Sequence, residues 1–310
     1  MDIRKIHRNI VNSRVPLIIV VLVFVAFRMF WIDENRLLEL WASMFIQIGM
    51  AFFLMSLTQR HIIIRGKTLL PAFCYLLLSG TNYLFIYNLR GSISAFLVVL
   101  CLWFLFNTYQ KPFSQRNALN ISLVLAAGSL YWAPLLYFFP LFWCGMYWFK
   151  SLNFKTFLAS LMGVAVVCLF LFTWSVYADD WTVFATILSD LRTLGDFRFP
   201  SFRIWNMAEI IFVGFLFILS IIKIFMAGVS EKAQAKTMLS YFSLLTFAIF
   251  ILFLFQNQWM KEWLLILYIP ISLLIAHYFS LAQSRAVMWL FLATIVFSVL
   301  MFGWKWFALP

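Results

Sequence analysis

Apolar runs of more than about 18 residues recur along the whole chain, and they limit its fold more than any other feature. A run of that length matches the hydrocarbon thickness of a bilayer and predicts a transmembrane helix. Because 65% of the 310 residues are hydrophobic and only 11% are charged, the polar surface is too small for a water-soluble particle. The sequence therefore predicts an all-α protein, a polytopic transmembrane helical bundle.

The positions of the apolar runs predict about eleven spans. Ten or twelve are alternatives, because the two runs within 118–149 are short and carry Pro134 and Pro140. We interpret residues 1–310 as a single integral membrane domain with no soluble domain. The predicted spans lie near 15–31, 38–58, 69–87, 92–109, 118–134, 135–149, 156–177, 206–225, 239–255, 264–280 and 287–305.

The distribution of charge predicts the orientation of the chain. With the N-terminus in the cytoplasm, most of the 23 Lys and Arg residues fall in inner loops, and most of the 11 Asp and Glu residues fall in outer loops. This distribution follows the positive-inside rule. It predicts a multi-pass protein of the bacterial inner membrane with a cytoplasmic N-terminus and an outer C-terminus. The net charge of +12 is then a topology signal and no indication of a nucleic-acid partner.

Ionisable side chains are scarce where the predicted spans cross the middle of the bilayer. Arg28 falls in the last turn of the first span, where a long side chain can extend to the interface. Glu209 and His277 fall near span ends. Such a pattern is untypical of ion-coupled transporters, whose pathways carry buried charges. The four Cys lie within apolar runs and the three His are far apart, so we predict no metal site built from them.

The segment YADDWTVFATILSDLRTLGDFRFPSFRIW concentrates charge in a chain that otherwise avoids it. Between residues 183 and 197, apolar side chains repeat with helical period and polar side chains take the opposite face. This pattern predicts an amphipathic helix near 182–197 that lies on the outer membrane surface. Asp179 and Asp180 precede this helix, and one interpretation is that they cap its start.

A second acidic pair, Asp33 and Glu34, opens the first outer loop in the motif WIDENRLLELW. Asp33 can likewise cap a helix that continues into the second span. The alternative is functional, because carboxylates at one surface can act as a general base or hold a divalent cation as cofactor. Four arginines on the same predicted side are candidates for binding a lipid phosphate. They are Arg90, Arg192, Arg198 and Arg203.

The layout of these residues resembles the integral-membrane glycosyltransferases of the C superfamily, which also have an acidic residue in the first outer loop and an interfacial helix. That resemblance implies a catalytic base at Asp33 or Glu34 and a polyprenyl-phosphate-linked sugar as substrate. The layout around RHIIIRGKTLLPAF and SLYWAPLLYFFPLFW also resembles uncharacterised polytopic membrane proteins of Bacteroidota.

Three functions therefore stay open at the level of sequence. The first is a glycosyltransferase, or a degenerate relative, in lipid-linked envelope glycan assembly, with Asp33, Glu34, Asp179 and Asp180 as candidate catalytic residues. The second is a non-enzymatic membrane subunit or scaffold in which these acids cap helices. The third is a flippase or transporter for a lipid-linked substrate. Convergence of the two acidic pairs on one cavity would favour the first.

Overall fold

The computed structural model describes residues 15–64, 68–192, 204–226, 233–281 and 285–308. Over these ranges the chain is all-α, with twelve α-helices and four short 3-10 segments. The helices are α1 (Val15–Met29), α2 (Leu37–Arg60), α3 (Leu70–Gly80), α4 (Leu89–Phe106), α5 (Gln115–Ser129), α6 (Phe138–Trp148), α7 (Phe154–Ala178), α8 (Thr182–Arg192), α9 (Ile204–Met226), α10 (Ala233–Phe255), α11 (Met260–Ser280) and α12 (Arg285–Ala308).

Each of the eleven predicted spans overlaps one of these helices. Six helices of the described chain, namely α2, α4, α7, α9, α10 and α11, are long and apolar enough to cross a membrane. Three more helices, α1, α3 and α12, contain apolar stretches that are shorter than those of the first six. The prediction of an all-α chain with several helices long and apolar enough to cross a membrane is thus confirmed, and the count of about eleven spans stays a prediction.

The centre of the bundle is α11, which packs against α3, α4, α9, α10 and α12. Its sequence is apolar on all sides, which is typical of a helix surrounded by other helices. Trp263 and Leu265 are completely buried, and Pro270 lies within the helix. Because so many helices contact α11, its two ends set the positions of the surrounding loops.

α5 packs closely against α7. Gly163 makes this approach possible, since a Cβ atom there would lie 2.0 Å from Oγ of Ser122 and 2.9 Å from the carbonyl oxygen of Leu119. Small residues at such a contact let two backbones meet closely, as is common between membrane helices. At the start of α7, Asn153 and Thr156 form a reciprocal capping box.

The amphipathic helix is present as α8, which confirms the prediction over residues 182–192. The remainder of the predicted range, 193–197, lies outside the described residues. α8 packs against the 3-10 segment Ala133–Tyr137, and the hydroxyl of Tyr137 donates a hydrogen bond of 2.7 Å to the carbonyl of Leu191. The C-terminal end of α8 is therefore attached to the bundle.

The prediction that Arg28 extends to the interface is wrong, because its side chain is completely buried. Its Nη1 atom donates to Oγ of Ser43 at 3.1 Å and its Nη2 atom donates to Oε1 of Gln47 at 2.6 Å. Neutral acceptors on α2 thus hold the guanidinium inside the bundle. Glu209 and His277 are also buried, so ionisable groups occur inside the helical packing more often than the sequence indicated.

Candidate anion-binding cleft

A polar cleft of about 510 Å³ opens at one end of the bundle, where α2, α4 and α11 begin. Three tyrosines, three cations and two carboxylates contribute to its walls, in contrast to the apolar surfaces around it. Its lining consists of Arg36, Glu39, Tyr83, Leu84, Tyr87, Asn88, Leu89, Arg90, Tyr131, Lys261 and Glu262. The residues come from four separate parts of the sequence, and helix packing brings them together.

Three helices present their N-terminal ends at this cleft. Arg36 directly precedes α2, Leu89 and Arg90 begin α4, and Lys261 is in the first turn of α11. The N-terminus of a helix carries partial positive charge and backbone N–H groups without intrahelical acceptors. The helix ends and the cationic side chains therefore favour the same kind of ligand, an anion.

Aromatic rings position two of the cations. The guanidinium carbon of Arg36 lies 4.7 Å from the centre of the Tyr87 ring, and that of Arg90 lies 5.1 Å from the centre of the Trp259 ring. Arg36 Nε also donates to Oε2 of Glu39 at 2.9 Å. Stacking on a ring face restricts the side-chain conformations of an arginine, while the N–H groups at the edge of its guanidinium can still donate hydrogen bonds.

Two buried donors beside the cleft have no hydrogen-bond acceptor among the described residues. Nδ2 of Asn88 is one, and Nε1 of Trp259 is the other. The remaining amide atom of Asn88, Oδ1, accepts from the N–H of Gly91 at 2.8 Å and so caps α4. Buried donors usually have partners, and a bound anion with several oxygens would supply one.

The buried Arg28 contacts the turn between α3 and α4, which contributes Tyr83 and Tyr87 to the cleft. Its two terminal nitrogens each lie 3.4 Å from a backbone carbonyl, that of Ile86 and that of Phe85. Gln47 Nε2 also donates to the carbonyl of Phe85, at 3.3 Å. These contacts fix the turn between α3 and α4, which carries Tyr83 and Tyr87 into the cleft.

Asp33 caps the short 3-10 segment Glu34–Arg36, as the sequence predicted. Its Oδ1 atom accepts from the N–H of Asn35 at 3.1 Å, and the segment continues directly into α2. The backbone N–H of Asp33 donates to the hydroxyl of Tyr87 at 2.9 Å. Through that contact the first acidic pair borders the cleft, and both of its side chains are exposed.

The second acidic pair forms the turn between α7 and α8. Asp179 ends α7 in the left-handed conformation, with φ of 51°. Oδ1 of Asp180 accepts from the N–H of Thr182 at 2.8 Å, and hydrogen bonding by Thr182 lowers the pKa of this carboxyl group. Asp180 therefore stabilises the start of α8, as one of the two interpretations predicted.

Of the predicted site residues that the structure describes, only Arg90 lines the cleft. Among the lining residues of the described chain, Asp33, Glu34, Asp179, Asp180 and Arg192 do not appear. Arg192 is exposed at the end of α8. The two remaining predicted arginines, Arg198 and Arg203, lie outside the described residues.

Four charged residues of the cleft were missed by the sequence analysis. Arg36 and Glu39 lie at the start of α2, and Lys261 and Glu262 lie at the start of α11. A basic residue closely followed by a glutamate at the beginning of an apolar run was the available signal. The described ranges contain no cluster of three or more His, Cys, Asp or Glu that could hold a metal ion.

Comparison with known proteins identifies the family. A model for a family of unknown function, DUF6427, matches residues 3–308, and the chain therefore belongs to that family. Neither the search of curated proteins nor the search of solved structures gave a match.

Proposed function

We propose that this member of the DUF6427 family binds the phosphate-bearing headgroup of a membrane lipid, or of a lipid-linked sugar, in the cleft. The observation that carries the proposal is the convergence of Arg36, Arg90 and Lys261 with three helix N-termini on one cavity. Arginine presents a planar fork that matches phosphate oxygens, and lysine adds a compact charge.

The other lining residues suit a sugar attached to that phosphate. Tyr83, Tyr87 and Tyr131 supply flat faces and hydroxyl groups, which can pack against a sugar ring and bond to its hydroxyls. Glu39 and Glu262 add acceptors. A cleft for phosphate alone has no need of carboxylates, because they repel the ligand.

We further propose the inner membrane of a bacterium as the location, with about eleven spans and the N-terminus in the cytoplasm. The cleft lies at the start of α2, so this orientation places it on the outer side. α8 is then the helix on the outer leaflet. Lipid-linked sugars on that side would reach the cleft from the bilayer.

For glycosyl transfer, a carboxylate would remove the proton of the acceptor hydroxyl as its oxygen bonds to the anomeric carbon of the sugar. The bond between that carbon and the lipid phosphate would break, and the lipid phosphate would leave with its electron pair. Glu39 and Glu262 are the carboxylates in the cleft. Asp33 and Glu34 border it, and Asp179 and Asp180 stay candidates on sequence grounds alone. If the site uses a divalent cation as cofactor, Glu39 or Glu262 would hold it, and it would supply positive charge to stabilise the leaving phosphate.

A non-enzymatic subunit is the second candidate. The observation that favours it is that Asp33 and Asp180 each accept a hydrogen bond from a backbone N–H two residues on. These carboxylates have structural partners already, which is what capping requires. In that case the cleft would recognise a lipid headgroup without transforming it.

The test is a lipid-binding measurement on the full chain in nanodiscs. Undecaprenyl phosphate serves as the anionic probe and undecaprenol as its neutral counterpart. We expect Arg90→Gln and Lys261→Gln each to weaken binding of the phosphate by about tenfold, which is the loss of one charged contact, and to leave undecaprenol binding unchanged. Lys155→Gln, an exposed lysine at the start of α7, is the matched control. Equal binding by all three variants would refute the proposal.

A further inference from the structure

A second cavity, an apolar groove of about 360 Å³, lies between α5, α7 and α8. Its walls are formed by hydrocarbon side chains from all three helices and from the turn after α5. They are Ala126, Ser129, Leu130, Leu136, Val164, Val167, Cys168, Leu171, Phe184, Ala185, Ile187, Leu188 and Leu191. The volume is in the range of small-ligand pockets.

The described lining of the groove offers almost no polar groups to a ligand. Among the described residues of its lining, the only hydroxyl is that of Ser129, which already donates a hydrogen bond of 2.7 Å to the carbonyl of Ala126. A polar ligand would lose its hydration here without gaining a partner. Hydrocarbon is the chemistry that fits these walls.

The groove is held in place at both ends of α8. At the N-terminal end, Asp180 accepts from the N–H of Thr182, and the ring of Trp181 packs against Phe172 of α7 at 5.7 Å between centres. At the C-terminal end, Tyr137 donates to the carbonyl of Leu191. α8 therefore lies beside α7 at a fixed position.

The side of α7 next to the groove is open to the bilayer. This helix is long and apolar enough to cross a membrane. Its side chains Leu169 and Phe170 are 65% and 72% exposed, which is expected of residues that contact lipid. The available material at this surface is the hydrocarbon interior of the membrane, not water.

We propose that this groove binds one hydrocarbon chain of a membrane lipid. One end of the groove lies near the polar cleft, since Leu130 lines the groove and the next residue, Tyr131, lines the cleft. The chain therefore enters with its headgroup end towards Tyr131. The orientation of the lipid rests on the function proposed for the cleft, whereas the binding of its hydrocarbon chain in the groove does not.

The experiment uses the full chain in vesicles of phosphatidylcholine. A small fraction of the lipid carries a diazirine in the middle of one acyl chain, on either diacylglycerol, which has no phosphate, or phosphatidylglycerol. After irradiation, labelled positions are mapped by peptide mass spectrometry. We expect labelling at Val167 and Leu188 to exceed that at Leu169 and Phe170 by severalfold, because a bound chain stays longer than a passing one.

Two variants test whether the groove itself retains the chain. Val164→Trp fills the groove and should reduce labelling at Val167 and Leu188 to the level of Leu169. Ile218→Trp, at an exposed position on α9, is the control and should leave the labelling pattern unchanged. The wild-type map decides the matter even if Val164→Trp does not fold.

Even labelling over groove and outer residues in the wild type would overturn the proposal. Equal groove labelling by diacylglycerol and phosphatidylglycerol supports the site for a hydrocarbon chain, but it contradicts the proposed orientation and counts against phosphate binding in the cleft. Stronger groove labelling by phosphatidylglycerol that is lost in Arg90→Gln supports both the hydrocarbon site in the groove and the phosphate site in the cleft.

Discussion

Nη2 of Arg28 lies 2.6 Å from Oε1 of Gln47, and both side chains are completely buried between α1 and α2. The other acceptors of this guanidinium are the hydroxyl of Ser43 and the carbonyls of Phe85 and Ile86. A buried cation is costly, and hydrogen bonds offset part of that cost. Here neutral groups accept from both terminal nitrogens, while Nε has no acceptor among the described residues. Two of the acceptors, the carbonyls of Phe85 and Ile86, belong to the turn that carries Tyr83 and Tyr87 into the cleft.

We therefore predict that Gln47→Leu destabilises the protein by about 1–3 kcal/mol, because it leaves a buried charge with fewer acceptors. Adding Arg28→Met removes the charge, so the double variant should be more stable than Gln47→Leu alone. Thermal unfolding in detergent measures both. A double variant less stable than either single variant would contradict this account of Arg28.

The contact between α5 and α7 gives a second prediction. Gly163→Leu should lower stability by about 1–3 kcal/mol, since the new side chain would collide with Ser122 and with backbone. Gly49→Ala is the control, because nothing lies within 4 Å of a Cβ atom at that position. It should be neutral or stabilising by up to about 1 kcal/mol. Thermal unfolding that ranks the two variants in the opposite order would show that the close approach is unnecessary.

The helices and the amphipathic α8 were predictable because their signals are local. Hydrophobic length indicates a span, and the alternation of faces in 182–192 indicates a surface helix. The caps at Asp33 and Asp180 were predictable for the same reason, since each carboxylate bonds a backbone group two residues away. Nothing in these inferences requires knowledge of which helices are neighbours.

The cleft was not predictable because it depends on those neighbours. Glu39, Arg90 and Lys261 are far apart in sequence and meet only because α11 packs beside α4, which in turn packs beside α2. The inward direction of Arg28 has the same origin. Its acceptors on α2 and on the turn after α3 are not visible from the hydropathy of α1.

His61 provides a prediction about pH. It lies just beyond α2, with its ring 5.8 Å from that of Phe106, and burial, with Arg60 and Lys111 nearby, lowers its pKa to about 4. The unfolded chain then binds a proton at higher pH than the folded chain does. Stability should be constant above about pH 6.5 and fall as the pH drops from there towards 4.

Thermal unfolding of wild type and His61→Gln at about pH 7 and about pH 5 checks this prediction. The variant should lose less stability on acidification, by about 1 kcal/mol once the partial solvent exposure of the ring is taken into account. Identical losses in the two proteins would show that His61 does not contribute to the acid sensitivity.

The last prediction separates the carboxylates of the cleft from those of the caps. Asn in place of Asp33 or Asp180 keeps an oxygen that can accept the same backbone hydrogen bond, so Asp33→Asn and Asp180→Asn should fold and bind lipid like the wild type.

Glu39→Gln and Glu262→Gln remove negative charge from the cleft. Both should therefore bind undecaprenyl phosphate more tightly. If one of them is the base for glycosyl transfer, that variant should bind the lipid-linked sugar yet fail to turn it over. Loss of turnover in Asp33→Asn with both glutamine variants active would instead return the catalytic role to the first acidic pair.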